Sequence, residues 1–200
     1  MKKLISLFVV VVLTSFAFAA NAQLRFGIKG GVNISTVSFD KDILSTKNVT
    51  GFHIGPMIEA IVPVLGVGID AAILYTQKGM EFEGVDVLET KVGNEVVKID
   101  YLDVPIHLKW KIELPLIKPY LATGPYLGFR LSKNEIFNNL EDQIKAKTFG
   151  LGWDFGAGVE VLNHLQVGFN YGLGLTDNYK LGKESAGKNR GWMITAAIMF

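Results

Sequence analysis

The residues of this chain best suited to moving a proton are its three histidines, His53, His107 and His164. His53 keeps an even spacing from Glu59, and His107 from Asp103, so each histidine lines up with a carboxylate wherever side chains alternate. Hydrolysis by a Ser/His/acid or Asp/His site would need a nucleophile or activated water beside that pair. No serine stands in a marked position next to either histidine. A metal held by His53, His107 and Glu59 would need three separate segments to converge, which spacing alone does not establish. The chain has no cysteine, so thiolate ligands and disulfides are excluded. Gly150-x-Gly152 and Gly156-x-Gly158 recur at period two and lack the strand–turn–helix setting of a phosphate loop. A formal charge of +1 without a basic cluster gives no reason to expect nucleic acid. The chemistry-bearing residues therefore predict neither an enzyme nor a cofactor or metal site. His53 and His107 read as members of a polar interior, and His164 as a solvated turn residue.

The segments that must hold these residues are strands. Residues 101–110, YLDVPIHLKW, alternate Leu102, Val104, Ile106, Leu108 and Trp110 with Asp103, Pro105, His107 and Lys109. The same alternation recurs at 24–36, 51–62, 65–77, 120–131, 149–161, 165–176 and the C-terminus. Residues 149–161 are the clearest case: Phe149, Leu151, Trp153, Phe155, Val159 and Val161 oppose Gly150, Gly152, Asp154, Gly156, Gly158 and Glu160. About eight strands of roughly ten residues fit a small transmembrane barrel. Short links near 63–65, 113–118 and 162–164 alternate with long polar links at 37–50, 79–97, 132–147 and 177–190. Short turns at one end and long loops at the other are the habit of outer-membrane barrels. A periplasmic N-terminus would place every long loop outside the cell.

The wet face follows from volume. The apolar register carries no charge in any of these stretches. A water-soluble barrel would have to enclose Trp110, Trp153, Trp192, Phe155 and Phe169, and an eight-stranded barrel is too narrow for them. Placed outward, they meet lipid. The polar cluster of Arg25, Lys29, His53, Glu59, Asp70, Asp103, His107, Lys109, Arg130, Asp154 and Glu160 then shares the lumen, with Lys111 on the same register. Charges in such a space pair, and the expected result is a plug of Arg25, Lys29, Lys109 and Arg130 against the five carboxylates just named. Inward glycines on 149–161 and 165–176 would leave room for inward Tyr101, Tyr120 and Tyr126. Tyr75, Trp110, Trp153, Trp192 and Phe200 are the expected interfacial aromatics. Pro56, Pro105 and Pro125 interrupt strands, which predicts bulges or strand ends at those points. A two-sheet sandwich would also bury many aromatics, but it would have no need of the loop asymmetry.

The N-terminus reads as an export signal. MKK is a positive start, LISLFVVVVLTSFAFA an apolar run, and Ala20-Asn21-Ala22 an A-x-A cleavage site. The expected division is a signal peptide at 1–22 and a barrel domain at 23–200. Within the long links, 134–147 (NEIFNNLEDQIKAK) could form a short helix with Ile136, Phe137, Leu140 and Ile144 on one side, or stay irregular. Glu81, Glu83, Asp86, Glu89 and Glu95 would form an acidic, solvated rim.

Several segments together carry a family resemblance: FGIKGGVN at 26–33, LYTQKG at 74–79, YLDVPIHLKW at 101–110, KPYLATGPYLG at 118–128, WDFGAGVEV at 153–161 and LQVGFNYGLGLTDN at 165–178. In this order they resemble the PorT-like, or porin-family, outer-membrane β-barrel proteins of Bacteroidetes type. The resemblance implies an eight-stranded antiparallel barrel in the cell outer membrane. It also implies that the strand ending in Phe200 is the signal read by the barrel-assembly machinery. One branch of that family is linked to gliding and type IX secretion, and no residue here places this chain in it. The functional expectation is a plugged barrel acting as a structural or loop-mediated binding protein of the cell envelope. Its partners would be outer-membrane lipid, the assembly machinery during insertion, and an extracellular or envelope protein ligand at the loops. The alternatives are a narrow channel for small solutes and, third, an outer-membrane hydrolase.

Overall fold

The computed structural model of the chain describes residues 23–39, 46–47, 49–63, 65–82, 86–87, 90–91, 95–131, 144–146, 148–176, 179–181 and 185–200. Eight strand positions make the wall: β1 (Gln23–Phe39), β2 (Val49–Val62), β3 in two pieces (Val67–Ala72 and Leu74–Phe82), β4 (Glu95–Lys111), β5 (Ile117–Arg130), β6 (Phe149–Val161), β7 (Leu165–Gly174) and β8 (Ser185–Met199). Each pairs antiparallel with its neighbour in sequence. β8 then returns to β1, with Met199 opposite Gly27 and Ile194 opposite Val32. The closure leaves the eight-stranded wall without an edge, which is the condition for a sheet to sit in lipid. Among the described residues no helix is long and apolar enough to cross a membrane; the strands make the crossing.

Burial alternates as the sequence alternates. Phe155 is 51% exposed and Phe169 49%, while Glu59 and Glu160 are wholly enclosed. Trp110, Trp153 and Trp192 all stand on the outer surface. Opposite demands from lipid and lumen fix the register, because a one-residue slip would exchange the two faces. The small-against-large expectation for the interior holds in detail. The Tyr126 ring lies where a side chain at Gly152 would have to go, 2.2 Å from an added Cβ. The Tyr120 ring lies over Gly158 and Gly168 in the same way.

The prolines behave differently from expectation. No bulge is present, and the register is the same on both sides of each proline. On β2 and β3, Met57 faces Ala72 and Ile54 faces Tyr75. Between them Ile73 N donates to Pro56 O at 3.0 Å, and Pro56 has no N–H to return. On the other side of β3 the ladder lapses where Ala72 meets Pro105, and between β4 and β5 where Ile106 meets Pro125. All three prolines lie inside continuous strands, and the break in β3 falls at Ile73, opposite Pro56, rather than at a proline. Glycine precedes two of the three. An added Cβ would lie 1.9 Å from Ile73 O at Gly55 and 2.1 Å from Ile106 O at Gly124. At both positions only a residue without a Cβ leaves room for the facing carbonyl.

The strands also run further than their apolar pattern. β1, β3, β4 and β8 continue into segments expected to be loop, and Thr46–Lys47, Ile144–Ala146 and Tyr179–Leu181 add short pairings at that end. Beyond the lipid both faces of a ribbon meet water, so the period-two signal disappears while backbone pairing continues. Ile144–Ala146 is therefore strand, not the end of a helix; its partner is Tyr179–Leu181, remote in sequence. The rest of 134–147, the acidic-rim side chains and the whole of 1–22 lie outside the described residues. At the opposite end the hairpin between β6 and β7 is tight. His164 N donates to Val161 O at 3.1 Å, with Leu162 and Asn163 both at positive φ.

Phe155 sits mid-strand on the outer face. Replacing it with arginine should cost about 2–4 kcal/mol in a bilayer, the range for a cation at the lipid midplane. Urea unfolding of Phe155→Arg in liposomes checks this. An unchanged midpoint would mean the outer face does not meet lipid.

Candidate functional site

The lumen holds two polar centres stacked along the barrel axis. The lower one, at the short-turn end, is built from β1, β2, β4, β6 and β7. Inward positions on those strands bring Arg25, Glu59, Lys109, Lys111, Glu160 and Gln166 together. Arg25 donates to Glu59, and to Glu160 at 3.0 Å and 2.5 Å. Lys109 reaches Glu59 at 2.7 Å, and Lys111 reaches Glu59 at 2.8 Å and Glu160 at 2.6 Å. The Gln166 amide donates to Glu59 at 3.0 Å and Glu160 at 2.8 Å, while its oxygen accepts from Lys109 at 2.8 Å. Arg25 also donates to the carbonyl of Asn163 at 2.9 Å, which ties the cluster to the β6–β7 turn. Two carboxylates thus face three cations, and every oxygen of both carboxylates is used. That is the arrangement in which enclosed charge is tolerated.

The upper centre is looser. Asp70 accepts from Lys109 at 3.1 Å and lies 3.5 Å from Lys29. His107 bridges Asp70 through Nδ1 at 3.3 Å and Asp154 through Nε2 at 3.1 Å. Higher still, Lys78 donates to Asp103 at 2.7 Å, with its ammonium 5.1 Å from the Tyr101 ring centroid and 5.0 Å from that of Tyr126. Lys109 has the same relation to Tyr120 at 4.2 Å.

Most of the expected cluster therefore meets, with three differences. Arg130, at the loop rim, joins none of these ion pairs. His53 is 2% exposed, and neither ring nitrogen has a hydrogen-bond partner among the described residues. It does not share an acid with His107. Asp103 pairs with Lys78 and not with the cations expected for it. Lys78 was missed because the strand was expected to end at Gln77. The continuing alternation from Thr76 to Lys78 was the available signal. Lys111 and Gln166 stand on the inward register, but alternation does not tell which inward residues meet across the barrel. Strand tilt and stagger decide that.

The aromatics fall into two groups. Trp110 lies beside Val67 at the turn end, where Phe200 N donates to Phe26 O at 2.7 Å. Tyr75, Trp153 and Trp192 lie nearer the loops. Trp192 stacks on Phe169 at 4.8 Å, and Trp153 Nε1 donates to Thr123 Oγ1 at 2.8 Å. His164 is exposed in its turn, and its Nδ1 donates to the Leu162 carbonyl at 2.7 Å. As chemistry, the lumen is a set of neutralised charges. Among the described residues the hydrogen-bond partners of His107 are the carboxylates of Asp70 and Asp154. Among the described residues no group of histidines and carboxylates is placed to hold a metal.

Comparison with known proteins agrees with this architecture. Residues 18–180 match the family described as outer membrane protein beta-barrel domain, and the chain belongs to that family. The crystal structure of the outer membrane protein OprG from Pseudomonas aeruginosa superposes with a TM-score of 0.53 at 12% identity, covering 90% of this chain and 97% of that one. Ail, the attachment invasion locus protein of Yersinia pestis, in complex with the heparin analogue sucrose octasulfate, gives 0.48 at 18% identity, with 89% and 99% covered. Neisserial surface protein A gives 0.48 at 12% identity, with 88% and 97% covered. No curated protein matches the chain. The fold is an eight-stranded antiparallel outer-membrane barrel, and the chain's place is the outer membrane.

Glu59 is the hub of the lower centre. Glu59→Gln leaves enclosed cations uncompensated and should destabilise the barrel by about 3–5 kcal/mol. Gln166→Leu, which removes neutral hydrogen bonds from the same carboxylates, should cost about 1–3 kcal/mol. Denaturant midpoints of the two variants in one lipid test the order; the reverse order would contradict the hub role.

Proposed function

We propose that this barrel is a non-conducting structural or binding protein of the cell envelope that works through its long-loop end. The carrying observation is the lower ion cluster, where Glu59, Glu160, Lys109, Lys111 and Gln166 are each at most 2% exposed. A solute path would have to cross five strands' worth of mutually bonded side chains. Breaking such pairs without replacement is costly. The wall is left to lipid and the lumen to its own charges, so the surface free to meet partners is the end where β1, β3, β4 and β8 extend past their apolar stretches. An extracellular or envelope protein is the class of ligand that such protruding ribbons suit.

In this reading residues 1–22 are a cleaved export signal. The terminal strand ending in Phe200 is recognised by the barrel-assembly machinery, and the chain is PorT-like within its family. The aromatics Trp110 and Phe200 at one end, and Tyr75, Trp153 and Trp192 nearer the other, sit at the two lipid–water boundaries. A narrow channel is the second reading, favoured by a cavity of about 50 Å³ on the loop side. That cavity stops above the lower cluster.

Purified protein in a planar bilayer should give no discrete current steps, while the same preparation migrates differently boiled and unboiled on a gel, as folded barrels do. Reproducible openings from heat-modifiable protein would replace this reading with the channel.

A further inference from the structure

The short turns between β4 and β5 and between β6 and β7 are built from residues that water does not favour. The first reads IELPLIK over 112–118, and the second opens on Leu162. Leu114 is 48% exposed, Leu116 65%, Ile117 52% and Leu162 63%. Solvated turns are mostly made of Gly, Pro, Asn, Asp and Ser. Leu162 even holds φ at +53°, a left-handed position in which a bulky side chain is rare. Groups that lipid would reject are matched within the turns. Glu113 pairs with Lys118. Ile112 N donates to Pro119 O at 2.9 Å, and Leu114 N to Ile112 O at 3.1 Å. Pro115 has no N–H to satisfy. Leu162 N donates to Leu116 O at 3.0 Å, which joins the two turns to each other.

We propose that these two turns are seated in the lipid leaflet at their end of the barrel, with Leu114, Leu116 and Leu162 among the glycerol and upper acyl groups. Continuity with the lipid-facing wall identifies the occupant. On β4 the exposed outward register runs through Ile106, Leu108 and Trp110, and Ile112, Leu114 and Leu116 continue its parity and its exposure. Ile112 lies only ~5 Å beyond Trp110 along the barrel axis, from a rise of ~3.3 Å per residue and a strand tilt of ~40°. The interfacial layer of a bilayer is about that deep. The turns therefore meet lipid at their outer side while Trp110 keeps its place at the boundary. Apolar side chains over an internally bonded backbone are what that layer admits. A turn standing clear in water gains nothing from exposed leucine. Seated in this way the turns anchor the barrel against displacement along the membrane normal, because lifting them would expose Leu114, Leu116, Ile117 and Leu162 to water. The inference rests on the outer-membrane placement of the barrel, and not on what the loops bind.

The chain has no cysteine, so a single introduced thiol carries a single label. The test places an environment-sensitive nitrobenzoxadiazole dye on Leu116→Cys in the full barrel, reconstituted in phosphatidylcholine vesicles. Two quenchers are compared: a nitroxide carried high on the lipid acyl chain, and iodide in the buffer on both sides of the membrane. The same dye on Phe155→Cys gives the fully lipid-shielded reference, and the Leu116→Cys protein unfolded in urea gives the fully wet one. The label at Leu116 should emit to the blue of the urea reference, be quenched by the nitroxide lipid, and resist iodide several-fold better than in urea. Heat-modifiable gel mobility confirms that each variant is folded; if Leu116→Cys does not fold, Leu162→Cys in the neighbouring turn takes its place with the same expectation. Iodide quenching equal to that in urea, with no effect of the nitroxide lipid, would overturn the proposal and leave the apolar turns to a protein partner.

Discussion

Closure of the backbone ladder between β8 and β1 is the constraint from which the other features follow. Hydrocarbon offers no partner to a free N–H or C=O, so the sheet has to end on itself. With eight strands the resulting cylinder is narrow. The side-chain period of two then sends every other residue into that narrow space. Large apolar groups cannot all fit there, and they go outward to lipid. The inner space receives what is small or polar, and polar groups deprived of water must bond to one another. The cluster around Glu59 and Glu160 is the result.

The two halves of the lumen differ because their strands do. β6 and β7 contribute glycines and few large groups, so the tyrosines of β5 can lie flat across them. Arg25, Lys109 and Lys111 come from β1 and β4 at the turn end, where the strands hold them against Glu59 and Glu160. Among the described residues, Asp103 and Asp154 each keep one oxygen without a donor, and His53 keeps both ring nitrogens unbonded. A plug below and an incompletely bonded vestibule above follow from where the charged residues fall along the strands.

The alternation of 149–161 made the wall legible from sequence, because lipid and lumen impose opposite demands on successive residues. The same logic gave the inward placement of Glu59, Lys109 and Glu160. It did not give Lys78 with Asp103, or the absence of Arg130 from the ion pairs described, since both depend on how far neighbouring strands are staggered. The continuation of β1 and β4 beyond the membrane was not legible for a related reason: a ribbon wet on both sides leaves no hydropathic trace. Pro56, Pro105 and Pro125 were visible as interruptions, yet their effect on the ladder could be read only against the residues opposite them.

Those prolines share a level. Pro56 opposes Ile73, Pro105 opposes Ala72, and Pro125 opposes Ile106, so the lapses follow one another from β2 across to β5. The remaining wall, from β6 through β8 to β1, has no comparable run of lapses. The cylinder is thus mechanically uneven: a pliant panel faces a stiff one. Any change of cross-section, whether breathing or response to bilayer thickness, would concentrate on the pliant side, where fewer backbone bonds resist shear.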